Sequence, residues 1–230
     1  MNKLILTTTL LLGAAACAEP TAPEAQTETG EKAKKKPGSK PGSKPATGGP
    51  GKLSLGAAAP MVNMPMIGTD GGEHSIQSAA KKNGVMVLFT CNHCPWVKAW
   101  EERTVAAGNL ALTKDIGVIA VNSNDPEAYS EDDMNGMKAR AEKAGMEYPY
   151  VTDDGSRIAK AFGADKTPEV YMFDADMKLV YHGTIDDNAK KPGKVEKTYL
   201  VDAIKAVATG QEPNPAQTKA LGCSIKFQSS

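Results

Sequence analysis

Uninterrupted apolar runs alternate along this chain with segments whose apolar residues recur every three or four positions. Residues 85–89 (Val-Met-Val-Leu-Phe) are apolar throughout, the mark of a central strand covered on both faces. Pro95 suits a first helical turn, and after it Val97, Trp100, Thr104, Ala107 and Ala111 fall on one helical face. Residues 116–121 read as a second buried strand. Ser130-Glu131-Asp132-Asp133 has the form of a capping box, opening a helix with Met134, Met137, Ala141 and Ala144 on its inner face. A short helix is expected over 156–162, with Gly163 as its stop. Residues 170–173 and 179–182 flank Asp174-Ala175-Asp176 and predict a hairpin. A last helix over 195–207 turns Leu200, Ala203, Ile204 and Val207 inward. Crossover helices on a sheet that ends in an antiparallel hairpin give an α/β sandwich, a central mixed sheet flanked by helices.

Ahead of these elements the pattern changes twice. Lys3 supplies a minimal positive region, residues 4–12 are an apolar run broken by threonines, and 13–16 are small residues leading into Cys17. The run is shorter than the about 20 apolar residues of a spanning helix, so residues 1–17 read as an export signal. Its cysteine resembles that of the bacterial lipoprotein signal, where cleavage exposes the residue for acylation, although Ala14 stands where leucine is usual. Ordinary cleavage after Ala16 or Ala18 is the alternative. Residues 18–52 are rich in Pro, Gly, Ala, Thr, Glu and Lys, with the near-repeat Lys36-Pro-Gly-Ser, Lys40-Pro-Gly-Ser, Lys44-Pro. Such a segment buries no core and is expected to be a disordered tether, with a mean span of about 30 Å. Residues 53–230 then form the folded domain. The expected location is the periplasm or cell envelope, with a membrane as partner through a lipid on Cys17.

Twenty-seven basic residues balance 27 acidic ones, so no electrostatic footprint calls for nucleic acid. The chemistry lies in the cysteines. Cys91 and Cys94 are two residues apart where the apolar strand gives way to the amphipathic helix. Unpaired backbone N–H groups and the helix dipole at such a seam favour thiolate over thiol. A second thiol one turn away can close a disulfide, giving a reversible two-electron switch. The same spacing binds metals, but structural zinc wants four ligands and no second pair exists. Cu(I) needs only soft thiolates and stays open as an alternative. Outside the cytoplasm a dithiol is kept reduced or oxidised by a partner, so a recycling partner is expected beside disulfide- or dithiol-containing protein clients. If Cys17 is acylated, Cys91, Cys94 and Cys223 remain, and the odd thiol has to be accounted for. No cofactor and no resident metal are expected.

Thr167-Pro168 precedes an apolar strand some way after the C-x-x-C pair, the place where thioredoxin-fold proteins carry a cis-proline facing the disulfide. Its use would be to turn a backbone N–H and C=O toward an incoming chain that contains cysteine. Phe89-Thr-Cys-Asn-His-Cys-Pro-Trp-Val-Lys-Ala, Asn122-Ser-Asn-Asp-Pro-Glu-Ala-Tyr, Phe162-Gly-Ala, Thr167-Pro, Ile185-Asp-Asp-Asn and Lys219-Ala-Leu-Gly-Cys-Ser-Ile-Lys together resemble one family. It is the peroxiredoxin-like branch of the redoxin (AhpC/TSA) group in the thioredoxin superfamily, and the likeness covers about residues 53–227. The resemblance implies a thioredoxin fold and thiol redox activity, with Cys91 and Cys94 as the reactive pair. Lys166 departs from it, standing where many relatives carry a third cysteine.

In that scheme Cys91, expected at the exposed mouth, is the nucleophile, and Cys94 resolves the mixed disulfide. His93 between them would stabilise the Cys91 thiolate and lower its pKa. Thr167 and Pro168 complete the set. His74 and His182 read as bland residues, and Asp186-Asp187 as a turn. Two rivals remain. A thiol peroxidase would need P-x-x-x-T-x-x-C, yet the threonine position is Cys91 when counted from Cys94 and Leu88 when counted from Cys91. A thioredoxin-fold copper chaperone would add a distant histidine, for which His182 is the candidate. Cys223 is either a buried small hydrophobe or a third redox thiol pairing with Cys91. Non-reducing mass spectrometry of the oxidised protein should show Cys91–Cys94 as the dominant disulfide; a dominant Cys91–Cys223 bridge would make the tail the resolving arm.

Overall fold

β3 (Val85–Phe89) occupies the middle of a five-stranded sheet, and each of its residues is buried. Its side chains alternate between the two faces. Met86 and Leu88 pack with Trp100, Ala107, Ala111, Leu200, Ala203 and Ile204, the apolar faces of α2 (Pro95–Leu112) and α5 (Tyr199–Ala208). Val85, Val87 and Phe89 pack on the other side with Ile158, Phe162, Tyr171 and Phe173. That double burial is why the run carries no polar residue.

A computed structural model describes residues 51–229. The expected signal at residues 1–17, the expected lipidation site Cys17 and residues 18–50 of the expected tether lie outside the described residues. The main sheet has the order β5-β4-β3-β7-β8, built with β4 (Gly117–Asn122), β5 (Tyr150–Thr152), β7 (Glu169–Phe173) and β8 (Leu179–Gly183). β3 runs parallel to β4, and β4 to β5; β7 and β8 run antiparallel to their neighbours. Crossovers α2 and α3 (Met134–Ala144) join the parallel strands, and α4 (Arg157–Phe162) leads back toward β7. The mixed sheet flanked by helices is the one the sequence predicts. Two small pairs lie outside it: β1 (Met66–Ile67) with β2 (Glu73–His74), beside the four-residue α1 (Ile76–Ala79), and β6 (Lys166–Thr167) with β9 (Cys223–Ser224). Among the described residues no helix is long and apolar enough to cross a membrane.

Two helix starts differ from expectation. Ser130 does not cap the third helix: residues 130–132 make a single 3-10 turn, and Asp133 is the cap, its Oδ1 accepting from the Gly136 N–H at 2.7 Å. That turn carries Asp132 into the interior, where it is 2% exposed. The last helix begins at Tyr199 rather than at 195, because the preceding segment is tied to the 185–188 loop. Glu196 N–H donates to Asp187 Oδ1 at 3.1 Å, and Asp187 N–H to the Lys197 carbonyl at 3.3 Å. Gly163 stops α4 in a left-handed conformation (φ 66°), as its position predicts.

On the α4 side the core is aromatic. The Phe162 ring stands edge-on to Phe89, Tyr171 and Phe173 with centroids 5.4, 5.3 and 5.8 Å away. Phe162→Ala should cost about 3–5 kcal/mol of unfolding free energy through loss of these contacts and the cavity left behind, measured by equilibrium denaturation.

Candidate active site

The chain leaves β3 still hydrogen-bonded, Thr90 N–H donating to Val121 O at 3.0 Å, and turns through Cys91-Asn92-His93 to Cys94, the residue that caps α2. Pro95 follows at the first helical position, where its missing N–H removes no helix bond. Asn92 fixes the turn with every polar group it has. Its N–H donates to Asp132 Oδ1 (2.5 Å) and its side-chain amide to Glu131 O (2.5 Å). Its carbonyl accepts from Arg140 and its Oδ1 from the Tyr150 hydroxyl, each at 3.0 Å. A loop whose buried groups are all partnered has little freedom to rearrange.

Asp132 is the centre of this network. His93 Nδ1 lies 2.6 Å from its Oδ2, Asn124 Nδ2 donates to the same oxygen at 2.9 Å, and the His93 ring stacks on Tyr129 at 3.9 Å. Cys91 Sγ, a His93 ring nitrogen and an Asp132 oxygen lie within 4.8 Å of one another. The imidazole that sequence spacing sets beside Cys91 thus brings a carboxylate with it.

Both sulfurs face Thr167. Cys91 Sγ is 3.3 Å from its Oγ1, and Cys94 Sγ 3.3 Å from its carbonyl oxygen. The Thr167–Pro168 peptide is cis. Neither cysteine stands at an exposed mouth: both are 0% exposed, packed with Val97, Trp96 and Cys223. Cys223 is half-exposed, and its sulfur interacts with Cys94 rather than with the expected Cys91.

The two thiols are electrostatically coupled. Hydrogen bonding from the Cys91 thiol holds Cys94 well below the ordinary thiol range against its burial, helped by Cys223 and the Val97 N–H at the helix start. The same hydrogen bond to Cys94, burial and the negative Asp132 hold Cys91 well above that range. The Asp132 carboxylate that partners His93 thus opposes a thiolate at Cys91.

A second buried carboxylate follows the proline. Glu169, fully buried, accepts from Lys52 Nζ (2.5 Å), Tyr171 Oη (3.2 Å) and the Asp165 and Lys166 N–H groups, and lies 2.7 Å from His182 Nε2. Burial alone would raise its pKa, but the hydrogen bonds of His182 and Lys52 and the Lys52 charge hold it at about 2. His182, the candidate distant ligand of a copper site, has its Nε2 engaged by Glu169. His74 pairs with Asp70 at 2.9 Å on the surface. Asp186 accepts from the Trp100 indole at 2.7 Å and Asp187 holds the neighbouring loop, so the pair is structural as read. Asp132 and Glu169 were missed by sequence reasoning. Asp132 reads locally as a capping residue, and the one signal for Glu169 is an acidic residue opening an otherwise apolar strand.

Sheet order, crossovers and the strand–helix seam define a thioredoxin-like fold. Residues 54–199 match the Redoxin family, and the chain belongs to that family. It is 34% identical to a conserved uncharacterized protein of Geobacillus kaustophilus, over 77% of this chain and 94% of that one, with a TM-score of 0.71. A hypothetical protein of Sinorhizobium meliloti is 28% identical over 78% of this chain and 97% of its own, with a TM-score of 0.70. The peroxidoxin BcpB of Mycobacterium tuberculosis shares the fold at 11% identity, over 69% of this chain and 97% of its own, with a TM-score of 0.52. No curated protein matches the chain.

Asp132→Asn removes the negative charge facing Cys91. The expected result is a Cys91 alkylation profile displaced to lower pH than in the unsubstituted protein, read by site-resolved mass spectrometry across a pH series.

Proposed function

We propose that the protein is an exported thiol–disulfide oxidoreductase working through the Cys91–Cys94 dithiol. The observation that carries this reading is the placement of both sulfurs 3.3 Å from the two oxygens of one residue, Thr167. Two thiols on a common anchor, sharing one proton, need little rearrangement to exchange a hydrogen bond for a covalent bond. Oxidation joins the sulfurs and passes two electrons and the one shared proton to a client's disulfide, which takes its second proton from water. Reduction runs the same steps backward with an external dithiol. The fixed Asn92 turn keeps the pair in register, so that Cys91 as nucleophile and Cys94 as resolving thiol stay within reach of one another. Export is supported by the pattern of residues 1–17, and attachment to a membrane by Cys17 at its end. Clients and a recycling partner with disulfide or dithiol groups follow from the reaction.

Equilibration in dithiothreitol or glutathione buffers should give one two-electron transition of the Cys91–Cys94 disulfide, absent from Cys91→Ser and Cys94→Ser. A midpoint near about −270 mV would mark a reductant and one near about −120 mV an oxidant. Absence of any Cys91–Cys94 disulfide would refute the reading. Hydrogen peroxide turnover that persists in Cys94→Ser would assign a peroxidase instead.

A further inference from the structure

The segment after α5 has no part in the scheme above, yet it is strapped across the site. His182 N–H donates to Ala216 O (3.0 Å) and Thr218 N–H to His182 O (2.9 Å). Further on, β9 pairs with β6, setting Cys223 opposite Thr167. Ile225 N–H donates to Asp165 O at 3.0 Å, Lys226 N–H to Asn124 Oδ1 at 2.8 Å, and Gln228 N–H to Ser156 Oγ at 3.0 Å. The approach is close: a Cβ on Gly222 would come within 2.2 Å of the Thr167 carbonyl oxygen. The strap therefore lies on the backbone edge that an incoming cysteine-bearing chain would use, and it brings a cysteine of its own. Of the described sulfurs, those of Cys91 and Cys94 belong to fully buried residues, while Cys223 packs against them and keeps a half-exposed position.

We propose that Cys223 is the sulfur through which an external dithiol re-reduces the buried pair, by way of a Cys94–Cys223 disulfide. The proposal rests on the dithiol reading of the site. Starting from the Cys91–Cys94 disulfide, the Cys223 sulfur attacks Cys94, its proton passes to the departing Cys91 sulfur, and Cys94–Cys223 forms. An external thiolate then attacks the accessible Cys223 sulfur and Cys94 leaves as thiolate. The reductant's second thiol attacks its own mixed-disulfide sulfur, and Cys223 departs with that thiol's proton. The net change is one external dithiol oxidised to a disulfide and one buried disulfide reduced.

The surroundings of the sulfurs suit this direction. A thiol held below the ordinary range leaves readily, which is the property of Cys94. Cys223 is pushed up to about 11 by its partial burial, by hydrogen bonding to Cys94 and by the negative charge there. The last two causes vanish once the Cys94 sulfur is in a disulfide, so Cys223 becomes easier to deprotonate in the state where it must attack.

The oxidised full chain, treated with glutathione and quenched with acid, should carry its glutathione adduct on Cys223. Cys91→Ser oxidised with diamide should show a Cys94–Cys223 bridge in non-reduced peptides. Oxidised Cys223→Ser should be reduced by dithiothreitol about tenfold more slowly than the parent, as access to a buried disulfide is lost. An adduct on Cys91 or Cys94, no Cys94–Cys223 bridge, or an undiminished rate in Cys223→Ser overturns the proposal. A parent protein that forms no Cys91–Cys94 disulfide defeats the dithiol reading itself, a result read separately from the adduct position.

Discussion

The two oxygens of Thr167 hold the site together. One faces the sulfur that ends the β3 segment and the other the sulfur that begins α2, so the residue spans the seam between strand and helix. For that to work, the β6 backbone and the 90–94 turn must stay in register across the top of the sheet. Each is fixed by a buried carboxylate. Asp132 takes the N–H of Asn92 and the ring of His93, while Glu169 takes the N–H groups of Asp165 and Lys166 from just beyond the proline. Buried carboxylates are costly unless fully partnered, and both are. The rigidity of the sulfur pair is thus built from hydrogen-bonded buried carboxylates on either side of it.

A third acid repeats the device. Asp153 is fully buried and accepts from the Ile158 and Ala159 N–H groups and the Ser123 hydroxyl, closing the start of α4 against the end of β4. Burial raises its pKa against those hydrogen bonds. The strap adds to the same corner through Gln228, whose Nε2 donates to Asp153 O at 3.1 Å. The loops at this end of the sheet are joined into one polar layer above an apolar core.

Local signals made much of this readable in the chain. The strand at 85–89, the face of α2, the hairpin around Asp174-Ala175-Asp176 and the Cys91/Cys94 seam each depend on neighbours in sequence, and periodicity and spacing reveal them. The cis Thr167–Pro168 step stands where its position beside an apolar strand suggests. What escaped depends on contacts across long separations. Asp132 reads as part of a cap because nothing nearby discloses Asn92 or His93 as its partners. Burial of Cys91 and Cys94 could not be read because it comes from Trp96, Val97 and a tail more than a hundred residues away. The choice of Cys94 over Cys91 as the neighbour of Cys223 is fixed by the register of β6 with β9, which no local pattern encodes.

Trp96 packs against the sulfur cluster and its ring lies 5.8 Å from that of Trp100, which itself donates to Asp186. The chain has two tryptophans, and these are the two. Indole emission is quenched by nearby disulfides and altered by nearby anionic sulfur, so the molecule carries its own optical gauge of the state of its sulfurs, with no other indole to obscure the reading.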